Sequence, residues 1–226
     1  MSGISFIIAL LLAIAPALLL AWLIYRADHH EREARRPLFI SLGLGAALPP
    51  LVFQVESQWL PLPPVLPSLG MLFLSVAVAA LLEESLKTAA LLVYPYRQSF
   101  FNEPMDGIVY AGMIGMGFAL AENVWFAWHY GWTTILFRGL TAVPAHAIFA
   151  IVLGYYAGRE KFATRHPSRF IATGWGWAVC LHALYNFLLL QSAYRWMLFL
   201  AAPLMGLSAW MCVDLIRRSE AESPFR

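Results

Sequence analysis

The chain has 226 residues, of which 61% are apolar and 12% charged, and its net charge is +2. Soluble domains carry about 45–50% apolar and about 25% charged residues, and no soluble core of this size hides the excess. A soluble fold is thereby excluded, lipid is the solvent implied, and nothing in the charge balance suggests a nucleic-acid partner.

A transmembrane helix needs about 20 mainly apolar residues. Seven segments answer that description: 4–25, 38–55, 69–94, 106–128, 138–158, 170–190 and 194–216. Only helices and closed barrels satisfy their backbone in lipid, and these runs are too long for barrel strands. They predict an all-α, polytopic transmembrane bundle. No long polar stretch separates them, so residues 1–226 read as one integral membrane domain.

No Lys or Arg precedes Arg26, so the first span lacks the positive start of a secretory signal. His29, His30, Glu31 and Glu33 follow it in a stretch that reads as a solvated loop against anionic lipid. The second span is the weakest, interrupted by Gly43, Gly45 and Pro49-Pro50. The third carries Glu83, Glu84 and Lys87. The fourth opens at Asp106, a cap-like carboxylate suited to a helix N-terminus, and carries Glu122 and Asn123. The fifth holds His146, and the sixth holds His182 and Asn186. Cys180 and Cys212 lie in apolar runs, match no metal or redox spacing, and read as core residues without a disulfide. Trp59, Trp132, Tyr194 and Trp196 lie near span ends and read as interfacial anchors. The proline-rich 61–67 segment, the last span and the 219–226 tail carry no functional signal.

The basic residues set the orientation. Arg26, Arg32, Arg35, Arg36, Arg97, Arg159, Lys161, Arg165, Arg169, Arg217, Arg218 and Arg226 fall on one side, against Arg138 and Arg195 on the other. The positive-inside rule then places the N-terminus outside and the C-terminus in the cytoplasm, which an odd number of spans fits.

Ionisable groups inside a bilayer are costly and mark function by default. Glu122, His146 and His182 lie about six to eight residues from the outer ends of their spans, and Glu83 about fourteen. At about 1.5 Å per residue, all four fall between the outer leaflet and the midplane, where they are expected to meet in one polar cavity. Glu83 and Lys87 are i,i+4 and share a face. Glu84 is turned about 100° away and needs another partner or a proton of its own. His182 and Asn186, and likewise Phe118 and Glu122, repeat the i,i+4 spacing. Ala111, Gly115 and Ala119 on the fourth span, and Gly154 and Gly158 on the fifth, are small residues at the period that permits close helix packing.

A carboxylate beside neutral imidazoles suits water activation. Glu83 would act as general base, and a His with an Asn would stabilise an oxyanion. The same groups would also serve a divalent metal such as zinc, although no HExxH pair is present. The residues leave metal-free and metal-assisted hydrolysis both open. They also leave open a proton-coupled transporter, since such groups form proton relays, and a non-catalytic scaffold.

Glu83-Glu84-Ser85-Leu86-Lys87 resembles the EExxK motif of the PrsW family of bacterial intramembrane proteases. Phe118-Ala119-Leu120-Ala121-Glu122 resembles that family's FxxxE motif, and His146 and His182-Ala183-Leu184-Tyr185-Asn186 resemble its later histidine motifs. The resemblance covers roughly residues 70–190, the expected protease-like core. The CAAX prenyl endopeptidases and bacteriocin-immunity-type proteins are similar too, with EExxxR, FxxxH and HxxxN-like motifs. This chain departs from them in its Lys after two intervening residues and in Glu122 where they have His.

The resemblance implies an intramembrane endopeptidase of the bacterial cytoplasmic membrane. Its substrates would be single-pass membrane proteins, such as anti-sigma factors, cut on the extracytoplasmic side. It implies a catalytic set of Glu83, Glu84, Glu122, His146, His182 and Asn186, with Lys87 orienting a glutamate. No cofactor is required on this reading; a metal, if used, would fall to Glu83, Glu122, His146 and His182.

Overall fold

A computed structural model of the chain describes residues 3–59, 68–163 and 169–226. The Trp59 side chain, the 61–67 segment and Arg165 lie outside what it describes. Eight α-helices occur among the described residues, and no strand. They are α1 (Gly3–Ala27), α2 (Arg35–Ala47), α3 (Pro49–Trp59), α4 (Leu69–Val93), α5 (Pro104–Leu140), α6 (Ala142–Phe162), α7 (Phe170–Leu190) and α8 (Leu198–Ala221). Among the described residues, five stretches can cross a membrane by length and composition: Phe6–Ala27, Arg35–Gln58, Leu69–Arg97, Pro104–Leu140 and Arg195–Ala221.

Local chemistry explains the boundaries. The expected weakness of the second span is a break between α2 and α3 at Leu48, which precedes Pro49-Pro50. Leu48 itself keeps helical backbone, at φ −77° and ψ −41°, and the hydrogen-bond ladder is interrupted because Pro49 and Pro50 have no N–H to donate. The Ser68 hydroxyl caps α4 by accepting the Met71 N–H at 3.2 Å. Glu103 and Asp106 form a capping box at the start of α5, with Pro104 in its first turn. The cap-like role expected of Asp106 is present, since its Oδ2 accepts the N–H of Glu103 at 2.9 Å.

The expected boundary between spans four and five is corrected. Residues 129–137 do not form a loop; α5 continues to Leu140, and α6 starts at Ala142 rather than at 138. The reversal occurs inside α5 at Gly131, with φ 80° and ψ −178°, a conformation open in practice only to glycine. Ile135 beyond it is fully buried with Ala9 and Ala13 of α1. That apolar packing keeps the segment helical. Arg138 consequently reaches Glu122, although 16 residues of straight helix would separate them by about 24 Å.

α5 packs against α1, α2 and α6. The small residues expected to permit this do so. A Cβ on Gly154 would lie 2.3 Å from the Gly107 carbonyl oxygen, and one on Gly158 would lie 2.1 Å from that of Pro104. Gly115 faces Ala150 and the His146 backbone. Large apolar side chains point outward instead, including Phe199 (80% exposed), Trp210 (74%), Phe137 (71%) and Trp128 (70%). Exposure on that scale suits a lipid-facing surface, and the chain is a multi-pass membrane protein. Trp132, Tyr194 and Trp196 are also exposed.

Two smaller expectations are corrected. Cys180 is exposed rather than in the core, because it lies on the outer face of α7; Cys212 is buried, and both thiols are free. The segment after α1 is not solvated throughout. Asp28 and Glu33 are buried, because the Tyr110 hydroxyl of α5 donates to Glu33 and draws that carboxylate inward.

Candidate active site

Four helices bring the expected residues to one place. α4 presents Glu83 and Glu84 one position apart, so they point in different directions. Glu83 faces a cavity of about 810 Å³, which Glu122 of α5, His146 of α6, and His182 and Asn186 of α7 also line. That volume is in the range of ligand pockets. Phe53, Trp125 and Phe149 supply apolar wall. Glu84 and Lys87 sit behind the lining and are almost fully buried.

The cluster is closely paired. The Lys87 ammonium donates to Glu84 Oε1 at 2.7 Å and lies 3.5 Å from Glu83 Oε2. Thus the partner Glu84 needs is Lys87, at i,i+3, and the expected Glu83–Lys87 pair is the longer of the two. Lys87 also lies 3.2 Å from His146 Nδ1 and 4.1 Å from the centre of the Phe118 ring, a cation–π contact that favours charge in an apolar setting. His146 Nε2 approaches Glu122 Oε2 at 3.1 Å. Arg138 bonds Glu122, donates to Asn123 Oδ1 at 2.8 Å and lies over the Phe126 ring.

His182 Nδ1 is 2.8 Å from Glu84 Oε1. Since a carboxylate only accepts, Nδ1 carries the proton there, and in the neutral ring Nε2 is left as an acceptor. Nε2 lies 3.9 Å from Glu83 Oε2, a gap of the kind that water bridges. Glu83 Oε2 is buried without a hydrogen-bond partner among the described residues. Glu83, Glu84 and Glu122 face only Lys87 and Arg138 as fixed cations, so with neutral imidazoles the cluster is one positive charge short. A proton or a bound cation would balance it.

The donor types are those of a metal site, and the Lys87 ammonium already stands among them, near Glu84 Oε1, His146 Nδ1 and Glu83 Oε2. Glu83, Glu84, His146 and His182 each offer a ligand atom within 4.8 Å of the other three, and all four are buried. Two carboxylates with two imidazoles are zinc-type donors. This set differs from the expected one in holding Glu84 in place of Glu122. The reason is Arg138, which neutralises Glu122 and draws it to the far side of His146.

Two cavity residues escape a reading of the sequence. Glu56 of α3 lines the cavity, one residue past the expected end of the second span. Arg138 appears from sequence to be an outer-loop charge. The available signal was its setting, a lone arginine within Ile135-Leu136-Phe137-Arg138-Gly139-Leu140.

Comparison with known proteins gives the family. A family model described as PrsW family intramembrane metalloprotease matches residues 33–212. A "Protease PrsW" of Geobacillus kaustophilus is 32% identical over 142 residues, covering 63% of this chain and 62% of the relative. That of Shouchella clausii is 30% identical over 200 residues, covering 86% and 89%. That of Bacillus subtilis is 30% identical over 177 residues, covering 78% and 80%. The match thus spans less than two thirds of the first of these relatives and most of the other two. No solved structure matches the chain.

Proposed function

Because the chain belongs to the PrsW family of intramembrane metalloproteases, we propose that it is an endopeptidase that hydrolyses a peptide bond of a membrane protein inside the bilayer. The observation that carries this reading is Glu83: a buried carboxylate oxygen without a hydrogen-bond partner, at the wall of a cavity shared with His182 and Asn186.

Glu83 takes a proton from a water in the cavity as that water attacks the scissile carbonyl, and returns it to the leaving amine. The oxyanion is met by the Asn186 amide and by His182, whose Nε2 carries a hydrogen when the ring is charged. Glu84 accepts from the opposite nitrogen of that ring and stabilises its charge, as the buried carboxylate of a catalytic triad does. Lys87 donates to Glu84 and lies against its charge. Glu122, held by Arg138, orients His146. A zinc-type ion held by Glu83, Glu84, His146 and His182 in place of the Lys87 ammonium would supply Lewis-acid polarisation of the carbonyl and a more acidic water.

On this reading the chain crosses a bacterial cytoplasmic membrane seven times, with the N-terminus outside, as the basic residues imply, and with the cavity towards the outer leaflet. The fitting substrate is a single-pass membrane protein, of which an anti-sigma factor is one example. The test is co-expression of tagged single-pass proteins with wild type and Glu83→Gln. A fragment formed only with wild type is expected. Equal processing by both, with both folded and several substrates tried, would leave a scaffold or a proton-coupled transporter as the better reading.

A further inference from the structure

A second group of buried acids lies about 24 Å along α5 from Glu122, sixteen residues earlier in the helix. Asp28 follows the end of α1, and Glu103 and Asp106 open α5. All three are fully buried, and each places a carboxylate oxygen within 4.8 Å of the others. This is the end of the bundle that carries most of the arginines. Even so, among the described residues no Lys or Arg forms an ion pair with any of the three.

Each carboxylate keeps oxygens free on one side. Asp106 uses Oδ2 for the N–H groups of Asn102 and Glu103, at 2.6 and 2.9 Å, while Oδ1 has no partner. Glu103 accepts the Ser223 hydroxyl through Oε2, while Oε1 has no partner. Neither oxygen of Asp28 has one. Burial, followed by repulsion from Glu103 and Glu220, pushes the Asp28 carboxyl up to about 7. Burial likewise raises Glu103. Three buried carboxylates with oxygens within 4.8 Å of one another, a fourth buried acid, Glu33, beside Asp106, and no Lys or Arg paired to the three are unfavourable unless a cation or protons lie there.

We propose that Asp28, Glu103 and Asp106 form a binding site for a hard divalent cation of the Mg²⁺/Ca²⁺ class, separate from the proteolytic cavity. The donors are all carboxylate oxygens, without sulfur or imidazole, which selects hard cations over zinc. Such ions bind oxygens at about 2.0–2.6 Å, which places two oxygens on one ion at most about 5 Å apart. The 4.8 Å limit meets that condition. The site joins the end of α1 to the start of α5. The last helix closes over it, since Ser223 donates to Glu103 and Glu220 holds His29. The cation is a clamp on three helix ends and takes no part in the hydrolytic step.

The test uses the full chain in nanodiscs, stripped with EDTA and titrated with Mn²⁺ read by electron paramagnetic resonance at pH 7.5. One Mn²⁺ that excess Mg²⁺ or Ca²⁺ displaces is expected. Asp28→Asn should weaken it at least about tenfold, and Glu83→Gln should leave it in place. That contrast separates this site from any metal in the cavity. At a hundredfold excess over Kd, Mg²⁺ should raise the Tm of wild type by about 5–10 °C and that of Asp28→Asn by much less. If Asp28→Asn does not fold, Glu103→Gln replaces it with the same expectation. No displaceable Mn²⁺ on wild type would overturn the proposal and leave a protonated acid cluster. So would a Mn²⁺ indifferent to both variants, or one lost in Glu83→Gln.

Discussion

The two buried acid clusters solve the same problem in opposite ways. Around the cavity two carboxylates are matched from within the chain: Glu84 by Lys87 and His182, and Glu122 by Arg138 and His146. Glu83 keeps only looser contacts, to Lys87 at 3.5 Å and to His182 at 3.9 Å. At the start of α5, Asp28, Glu103 and Asp106 have no such partner among the described residues. A buried carboxylate with its cation is tolerated and fixed in direction, whereas one without it is open to a proton or a ligand. The first arrangement aims one base at a cavity. The second leaves a place for something from outside the chain.

That contrast makes the sign of a charge-removing substitution depend on where it is made. The largest effect should come from Lys87→Met, which leaves Glu83 and Glu84 buried without their shared ammonium. A loss of about 3–5 kcal/mol is expected, read as unfolding in nanodiscs. The α5–α6 crossing should come next. Gly154→Val places side-chain atoms on the Gly107 backbone and should cost about 1–3 kcal/mol, while Gly176→Ala, with nothing within 4 Å, should cost nothing. A smaller effect of opposite sign is expected from Asp28→Asn. In EDTA it removes repulsion without orphaning a cation, and Tm should rise by about 2–4 °C, the shift that 1 kcal/mol gives a chain of this size. A fall there would equate the two clusters and break the comparison. Arg138→Lys should change stability least and still lower cleavage about 10–100-fold, as loss of an orienting partner does, because lysine cannot span Glu122 and Asn123 with one planar fork.

Much of this arrangement is legible in the sequence, and the remainder has identifiable causes. Long apolar runs mark the helices because lipid demands them, and Glu83, Glu122, His146 and His182 stand out because lipid penalises them. The i,i+4 spacing of His182 and Asn186 turns both into the cavity. By contrast, spacing cannot decide between i,i+3 and i,i+4 for Lys87, and the tertiary approach of His146 and His182 settles it for Glu84. Arg138 is misread because its position depends on one backbone torsion at Gly131. Asp28 and Glu33 look like loop residues because their burial comes from α5 and the last helix, far away in sequence. Glu56 is missed because span ends are the least defined part of a hydropathy pattern.

The most direct test compares Glu83→Gln with Glu84→Gln for cleavage of one identified substrate by purified protein in nanodiscs. Glu83 faces the cavity and Glu84 stands behind it, so the two neighbours should differ. Glu83→Gln should lose about 10²–10⁴-fold, the contribution of a general base, and Glu84→Gln about 10–100-fold, that of an orienting carboxylate. Cleavage by Glu83→Gln within a few-fold of wild type, or a larger loss in Glu84→Gln, would contradict the assignment of Glu83 as the group that activates water.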